Sequence, residues 1–174
     1  MRAVRRFERS PVPHVFVEQW FEHARRCGSS KNSQPWRFAA VTDPQVLAVL
    51  AGCGDDGAFL ADAPLGIAVA AVQGAFPFST IFDLGRVSQA IMIAAWADGV
   101  GTCPVVLEPA DRIEEARRAL HVPSRCRLDL VIACGFPAKV PAGRLDRLPR
   151  ETIRQFETFS QGQFSLEIPQ GPRT

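Results

Sequence analysis

A chain of 174 residues that is 47% hydrophobic and 22% charged has the size and composition of one folded domain, which excludes a disordered chain and two full-sized domains. The formal net charge of +2 is too small to indicate nucleic acid as a partner. No apolar stretch reaches the roughly 18 residues that a membrane span needs, and no signal-peptide pattern follows the N-terminal arginines. We therefore expect a cytoplasmic protein with no membrane partner.

Helical spacing of apolar residues predicts the first element, a helix over about residues 13–26 that contains Val17, Trp20 and Ala24. Gly28 ends this helix, and a polar loop follows. The next segments predict a strand, a short helix and a buried strand, in this order: Trp36–Val41, the residues after Asp43 and Pro44, and Pro64–Val72.

The segment Gly85–Asp98 has so little polar surface that we expect a helix buried nearly all round, with Asp83 placed to cap it. We predict two further strands, Thr102–Leu107 and Leu128–Cys134, with a surface helix from Pro109 onward between them. A short helix, Pro149–Phe156, follows the second of these strands. Because helices and strands mix without strict βαβ alternation, the order predicts an α+β fold. The buried helix and the apolar C-terminal stretch favour a dimer.

The reactive side chains form no recognised catalytic or metal-binding pattern. Five cysteines, an odd number, occur without C-x-x-C spacing, and three histidines occur without an H-E-x-x-H pair. Nucleophile and phosphate-loop motifs of known enzymes are also missing from the sequence. We therefore expect no bound metal and no catalytic side chain, so that any chemistry would come from a bound cofactor.

Two basic clusters and one loop rich in Ser, Asn and Gln are the candidate ligand-binding segments: Arg2–Phe7, Arg144–Pro149 and Ser29–Trp36. Arginine would hold a phosphate by charge-assisted hydrogen bonds, while the neutral side chains would bind hydroxyls or amides. Each cluster also has a simpler interpretation. These are a solvated N-terminus, surface ion pairs, and a loop whose Ser and Asn side chains bind the local backbone.

The order of these clusters resembles the nitroreductase family. Members of that family typically open with an arginine-rich segment that ends in Phe, and carry P-S-x-x-N-x-Q-P-W after the first long helix. Here Gly28–Trp36 matches this pattern at Ser, Asn, Gln, Pro and Trp. Further family motifs follow in order, so that the resemblance covers about residues 2–157: Asp62-Ala63-Pro64, Asp83–Gly101, Gly135-Phe136-Pro137 and Arg147-Leu148-Pro149.

The resemblance implies a mostly antiparallel sheet of four to five strands, flanked by helices, in an intertwined homodimer with FMN at the interface. Residues 1–157 would form the FMN-binding domain, and residues 158–174 would extend over the dimer partner. NADH or NADPH would supply electrons to a small acceptor such as a nitroaromatic or a quinone, by a ping-pong mechanism. A short Gln73–Phe82 connection would leave the acceptor pocket open.

The resemblance also implies which residues meet FMN. Arg2 and Arg5 would bind the phosphate with Arg144 or Arg147, and Ala3 stands in the same segment where the family often has serine. Three residues of the polar loop would reach ribityl and ring atoms of FMN across the dimer: Ser29, Ser30 and Asn32. Four residues of the third strand would lie against the face of the flavin ring: Pro104, Val105, Val106 and Leu107. An FMN carrier or sensor without efficient turnover is the alternative, motivated by Ala3, by Asp56 and by the short connection.

Overall fold

The computed structural model describes residues 2–74, 77–140 and 142. Contacts divide the chain into two units, Met1–Pro141 and Ala142–Thr174, and every described residue except Ala142 belongs to the first unit. Besides two short 3-10 helices, Ser30–Asn32 and Ala58–Asp62, the described residues form four α-helices and four strands: α1 (His14–Arg25), β1 (Trp36–Val41), α2 (Pro44–Ala51), β2 (Leu65–Val72), α3 (Pro77–Ala97), β3 (Gly101–Val106), α4 (Ala110–Ala119) and β4 (Cys126–Gly135).

The four strands form one sheet in the order β1-β2-β4-β3, and each neighbouring pair is antiparallel. Strands β2 and β4 therefore occupy the centre, although α3, β3 and α4 separate them along the chain. The predicted α+β fold with an antiparallel sheet is confirmed. The bounds of β1 are those predicted. Strand β2 differs from its prediction by one residue at its start, and β3 and β4 differ by one or two residues at each end.

Helices cover both faces of this sheet, which explains the long apolar run of β2. Leu65, Ile67 and Val69 lie in a core formed with α1 and α3, whereas Ala68 and Ala70 lie in a second core that includes residues of α2 and α4. Every residue from Leu65 to Ala71 is buried. An antiparallel strand normally alternates between apolar and polar residues, but a strand that is covered on both faces has no solvent side.

A side-chain hydrogen bond joins α1 to the end of α3. The indole Nε1 of Trp20 donates to Asp98 Oδ2 at 2.7 Å, and the Trp20 side chain is fully buried. The two residues are 78 positions apart in the chain. A buried indole N–H that lost this acceptor would keep its desolvation cost without compensation.

The start of α3 differs from its prediction. The helix begins at Pro77, so Asp83 lies inside it and the prediction that Asp83 caps it is wrong. The connection from β2 is correspondingly shorter than Gln73–Phe82, since only residues 73–76 separate the two elements. Gly85 suggested a boundary, yet a glycine within a helix costs only about 1 kcal/mol, which packing outweighs. Pro77 is well suited to the first turn because its missing N–H would have no partner there.

In a single copy of the chain, the prediction that α3 is buried nearly all round is wrong. Val87, Ile91 and Ala95 are fully buried against α1 and the sheet. The opposite side carries large exposed apolar side chains at helical spacing, with exposed fractions of 92% for Phe78, 66% for Phe82 and 56% for Ile93. A single copy of the chain therefore leaves an apolar stripe of α3 in solvent, and Ile81 and Trp96 extend it.

None of the helices within the described residues has the length and apolar character that a membrane crossing requires. The predicted helix Pro149–Phe156, the boundary predicted at residue 157 and the extension 158–174 lie outside the described residues.

We expect Asp98→Ala to lower the free energy of unfolding by about 1–3 kcal/mol, because the buried Trp20 indole N–H would lose its acceptor. Equilibrium unfolding in urea measures this change. Asp98→Asn is the matched control, since its amide oxygen can still accept the hydrogen bond and the loss should be smaller. Equal losses in the two variants would show that this hydrogen bond does not stabilise the packing of α1 on α3.

Candidate functional site

The N-terminal segment lies along the ends of β3 and β4. The backbone N–H of Val4 donates to Thr102 O at 3.0 Å, and that of Glu8 donates to Phe136 O at 2.8 Å. The Val4 side chain is buried, with 1% of the residue exposed. A Cβ atom added to Gly101 would lie only 2.6 Å from Val4 Cγ2. The segment can therefore pack this closely on the sheet because residue 101 is a glycine. The segment is therefore held by the sheet and is not a loose solvated tail.

This docking places the charge of Arg5 beside β3. The Arg5 guanidinium lies 5.6 Å from the centroid of the Phe59 ring, within the range of a cation–π contact. Burial raises the pKa of the Cys103 thiol, and the positive charge of Arg5 opposes that rise. Arg2 is half-buried and Ala3 is exposed in the same segment. Fixed positive charge of this kind suits a phosphate.

Alternate residues of β3 face opposite sides of the sheet. Val105 and Leu107 are 4% and 2% exposed and lie in the second core, whereas Pro104 and Val106 are exposed. Of the four predicted flavin contacts here, Pro104 and Val106 could therefore offer a side chain to a ligand, whereas Val105 and Leu107 could offer only backbone atoms. The loop after α2 packs directly on the backbone of β3, because a Cβ atom added to Gly54 in that loop would lie 2.5 Å from Val106 O.

The loop between α1 and β1 has an unusual backbone. Lys31, Asn32 and Gln34 adopt positive φ values of 51°, 55° and 44°, which residues with side chains rarely do. Such conformations cost free energy and are enriched where ligands bind. Local bonds hold the loop in this form. Ser29 Oγ accepts from Gln34 N at 2.9 Å, and Asn32 Oδ1 accepts from Gln34 Nε2 at 3.0 Å.

These local bonds use the acceptor atoms of Ser29 and Asn32. The hydroxyl hydrogen of Ser29 and the amide hydrogens of Asn32 can therefore be donated to a ligand. The simpler interpretation, in which Ser and Asn side chains bind local groups of the loop, therefore explains the role of their oxygen acceptors but gives no role to their N–H and O–H donors. Trp36, at the end of the loop, is 5% exposed and belongs to the core with α1 and α3.

Asp83 anchors this loop, a role that the sequence analysis missed. Its side chain is 1% exposed, its Oδ2 atom accepts from Ser30 N at 2.9 Å, and its Oδ1 atom lies 3.7 Å from Arg86 Nη1. Ser30 and Asp83 are 53 positions apart, so local spacing contains no signal for the contact. A carboxylate in the middle of an apolar helix was the available hint, because a buried charge needs a partner.

The structure therefore brings the predicted residues together in two groups. Arg2, Ala3 and Arg5 lie with the start of β3, whereas Ser29, Ser30 and Asn32 lie against Asp83 on α3. Val4, which lies between the residues of the first group, packs on Gly101, just beyond the end of α3 at Ala97. Asp83 and Ala97 are separated by about 20 Å along the helix axis. Arg144 and Arg147 lie outside the described residues.

The donor set of these groups fits FMN and contains nothing that would favour a metal ion. Arg5 offers charge to a phosphate, Pro104 and Val106 offer apolar contact to a flat ring, and the Ser29–Asn32 loop offers neutral donors. Within residues 2–74, 77–140 and 142, no group of three or more His, Cys, Asp and Glu side chains is placed to hold a metal.

The amino-acid sequence is similar to those of known proteins. The model of the Nitroreductase family matches residues 2–52, which include the N-terminal segment and the Ser29–Gln34 loop. A protein of Methanothermobacter thermautotrophicus named "Putative NADH dehydrogenase/NAD(P)H nitroreductase" is 29% identical over 147 residues, which cover 82% of this chain and 76% of that protein.

Solved structures share the fold. The crystal structure of a protein with the same name from Parabacteroides distasonis has a TM-score of 0.82 at 23% identity and covers 90% of this chain and 94% of its own. An FMN-dependent nitroreductase from Clostridium difficile has a TM-score of 0.79 at 22% identity, with 90% and 95% covered. The chain is thus similar to the Nitroreductase family model over residues 2–52, and it shares the fold of these solved structures.

Proposed function

We propose that the protein is an FMN-dependent oxidoreductase that uses NADH or NADPH to reduce small acceptors such as nitroaromatics or quinones. The observation that carries the proposal is the docked N-terminal segment, which holds the charge of Arg5 next to β3, the strand that exposes Pro104 and Val106. A phosphate and a flat apolar ring need these two surfaces next to each other. The relatives named as NAD(P)H nitroreductases and as an FMN-dependent nitroreductase support the same activity.

In this proposal, the chain binds and orients the cofactor and supplies no catalytic side chain. FMN, when bound, would take electrons from NADH or NADPH and pass them to the acceptor in a second half-reaction, which is a ping-pong mechanism. Arg2 and Arg5 would hold the phosphate, joined by Arg144 or Arg147. Pro104 and Val106 would contact the ring by side chains, while Val105 and Leu107 would contribute backbone groups only.

The proposed site is built from two copies of the chain. The two groups of residues lie near opposite ends of α3, so the Ser29–Asn32 loop of one copy would complete the Arg5 group of the other. Burial of the exposed stripe of Phe78, Phe82 and Ile93 would stabilise this homodimer. Residues 158–174 would extend over the partner. Sedimentation of the FMN-loaded full chain as a monomer would contradict this arrangement.

The proposed electron donors place the activity in the cytoplasm, because NADH and NADPH are available there. Recovery of the native protein in a membrane or extracellular fraction would contradict this location.

We expect the purified protein to bind FMN, to show the visible absorbance of a flavoprotein, and to lose that absorbance when NADH or NADPH is added without oxygen. A nitroaromatic or a quinone should then restore it. A protein that gains no flavin absorbance with added FMN would refute the proposal. Flavin that binds but stays oxidised with both nicotinamides would instead indicate a carrier or sensor, which is the alternative that Ala3 and Asp56 motivate.

Arg5→Ala should weaken FMN binding by about 1.5–3 kcal/mol, the usual range for a charge-assisted hydrogen bond, and should leave riboflavin binding unchanged. Riboflavin lacks the phosphate, so the comparison isolates the phosphate contact from any change in the fold. Fluorescence titration of both flavins measures the two affinities. Arg9→Ala is the matched control, because it removes the same charge from an exposed position of the same segment. An unchanged FMN affinity in Arg5→Ala would disprove the phosphate contact.

Asp83→Ala should weaken FMN and riboflavin by the same factor, since it releases the Ser30 N–H and the loop that would contact the ring and ribityl chain. Asp83→Asn keeps an oxygen acceptor and should lie closer to the parent protein. Circular dichroism identifies variants that remain folded. If a folded Asp83→Ala protein bound both flavins like the parent, the loop would have no part in flavin binding.

A further inference from the structure

We propose that the protein has a second ligand site, on the sheet face that α2 and α4 partly cover, and that this site takes an amphipathic carboxylate. A groove of about 520 Å³ opens there between β1, β2 and the loop after α4. None of the described residues that we assign to the flavin site lines it. Its volume lies within the range of roughly 300–1,000 Å³ that is typical of small-molecule sites.

Small side chains on two paired strands make the floor of the groove. Ala39 of β1 is paired with Ala68 of β2, and Arg37 is paired with Ala70. Three neighbouring positions of the floor therefore carry only a methyl group, which leaves the space that larger residues would fill. Leu120 and Val122 add apolar surface from the loop after α4. The floor suits the apolar body of a ligand and offers no hydrogen-bonding side chain to a polar one.

The groove is lined by two arginines and a histidine, Arg37, Arg125 and His121, and none of its described lining residues is acidic apart from the weakly acidic thiol of Cys126. All three are exposed, and among the described residues no carboxylate forms an ion pair with Arg37 or Arg125. Arg37 Nη1 donates to Trp36 O at 2.6 Å and to Gln34 O at 3.3 Å, which holds the guanidinium while leaving its charge unneutralised. This charge favours an anionic head group, and arginine pairs well with a carboxylate.

The backbone at His121 determines where its imidazole lies. Among the described residues, four non-glycine residues have positive φ; three lie in the Ser29–Gln34 loop, and the fourth is His121 at 52°. Val122 N donates to Arg117 O at 2.9 Å, which closes the end of α4 in the manner that usually places glycine at this position. An imidazole thus lines the groove at a position where glycine would be less strained.

We expect 2-naphthoate to bind the FMN-loaded full-length protein at least about tenfold more tightly than its neutral analogue 2-naphthamide, because only the carboxylate can pair with the arginines. Isothermal titration calorimetry measures both affinities. Equal affinities would overturn the proposal. Absence of binding would also overturn it, since the groove would then be filled by another part of the chain or by a second copy.

Matched variants separate this groove from the flavin site. Arg125→Ala should reduce naphthoate affinity to that of the amide and leave the amide unchanged, and Ala39→Leu should abolish binding of both by filling the floor. Ala40→Leu, at an exposed position on the other face of β1, should change neither. Naphthoate binding that survives both Arg125→Ala and Ala39→Leu would place the ligand elsewhere and refute the site.

His121→Gly separates a ligand role from a structural one. Glycine relieves the positive φ, so the urea midpoint of unfolding should rise, while naphthoate affinity should fall several-fold because the imidazole is lost. A purely structural histidine would give the first change without the second. A variant that is more stable and binds naphthoate as tightly as the parent would refute the role of His121 in the site.

Discussion

Helix α3 carries apolar side chains on two sides, and one copy of the chain covers only one of them. Val87, Ile91 and Ala95 form part of the core between the sheet and α1, while Phe78 and Ile93 remain exposed. An exposed stripe of this kind is unfavourable for a soluble monomer, because its burial against a partner would be driven by the hydrophobic effect. The proposed dimer and the proposed flavin site both depend on this constraint.

The same helix organises the polar groups around it. In its first third, Asp83 accepts from the loop that carries Ser29 and Asn32. Beyond its end, Asp98 accepts from Trp20 of α1, and the close approach of Val4 to Gly101 brings in the N-terminal arginines. Because a helix is rigid over this length, the two groups of predicted flavin residues are held apart within one chain. A shared site formed by two chains follows naturally from that separation.

Charge distinguishes the two faces of the sheet. On the face that α1 and α3 cover, the buried Asp83 carboxylate of α3 accepts from Ser30 N and lies near Arg86. On the other, Arg37 and Arg125 stand at a groove with a floor of alanines and no carboxylate paired to them in the described part of the chain. Strained backbone occurs at both places, in the Ser29–Gln34 loop and at His121. Strain that the fold tolerates at two sites with exposed donors is consistent with binding at each.

The sequence by itself determined the elements whose signals are local. The continuous apolar run of β2 and the bounds of β1 follow from the sequence pattern, and the motif Gly28–Trp36 indicated a resemblance to the nitroreductase family. It misplaced the start of α3, since Gly85 weakens a helix only slightly when one face is well packed. Only the tertiary structure decided that Asp83 anchors a loop, that Val105 and Leu107 face the core, and that Ala39, Ala68 and Arg125 border one groove. These are contacts between residues far apart in the chain, and such contacts depend on strand order and register, which no local pattern specifies.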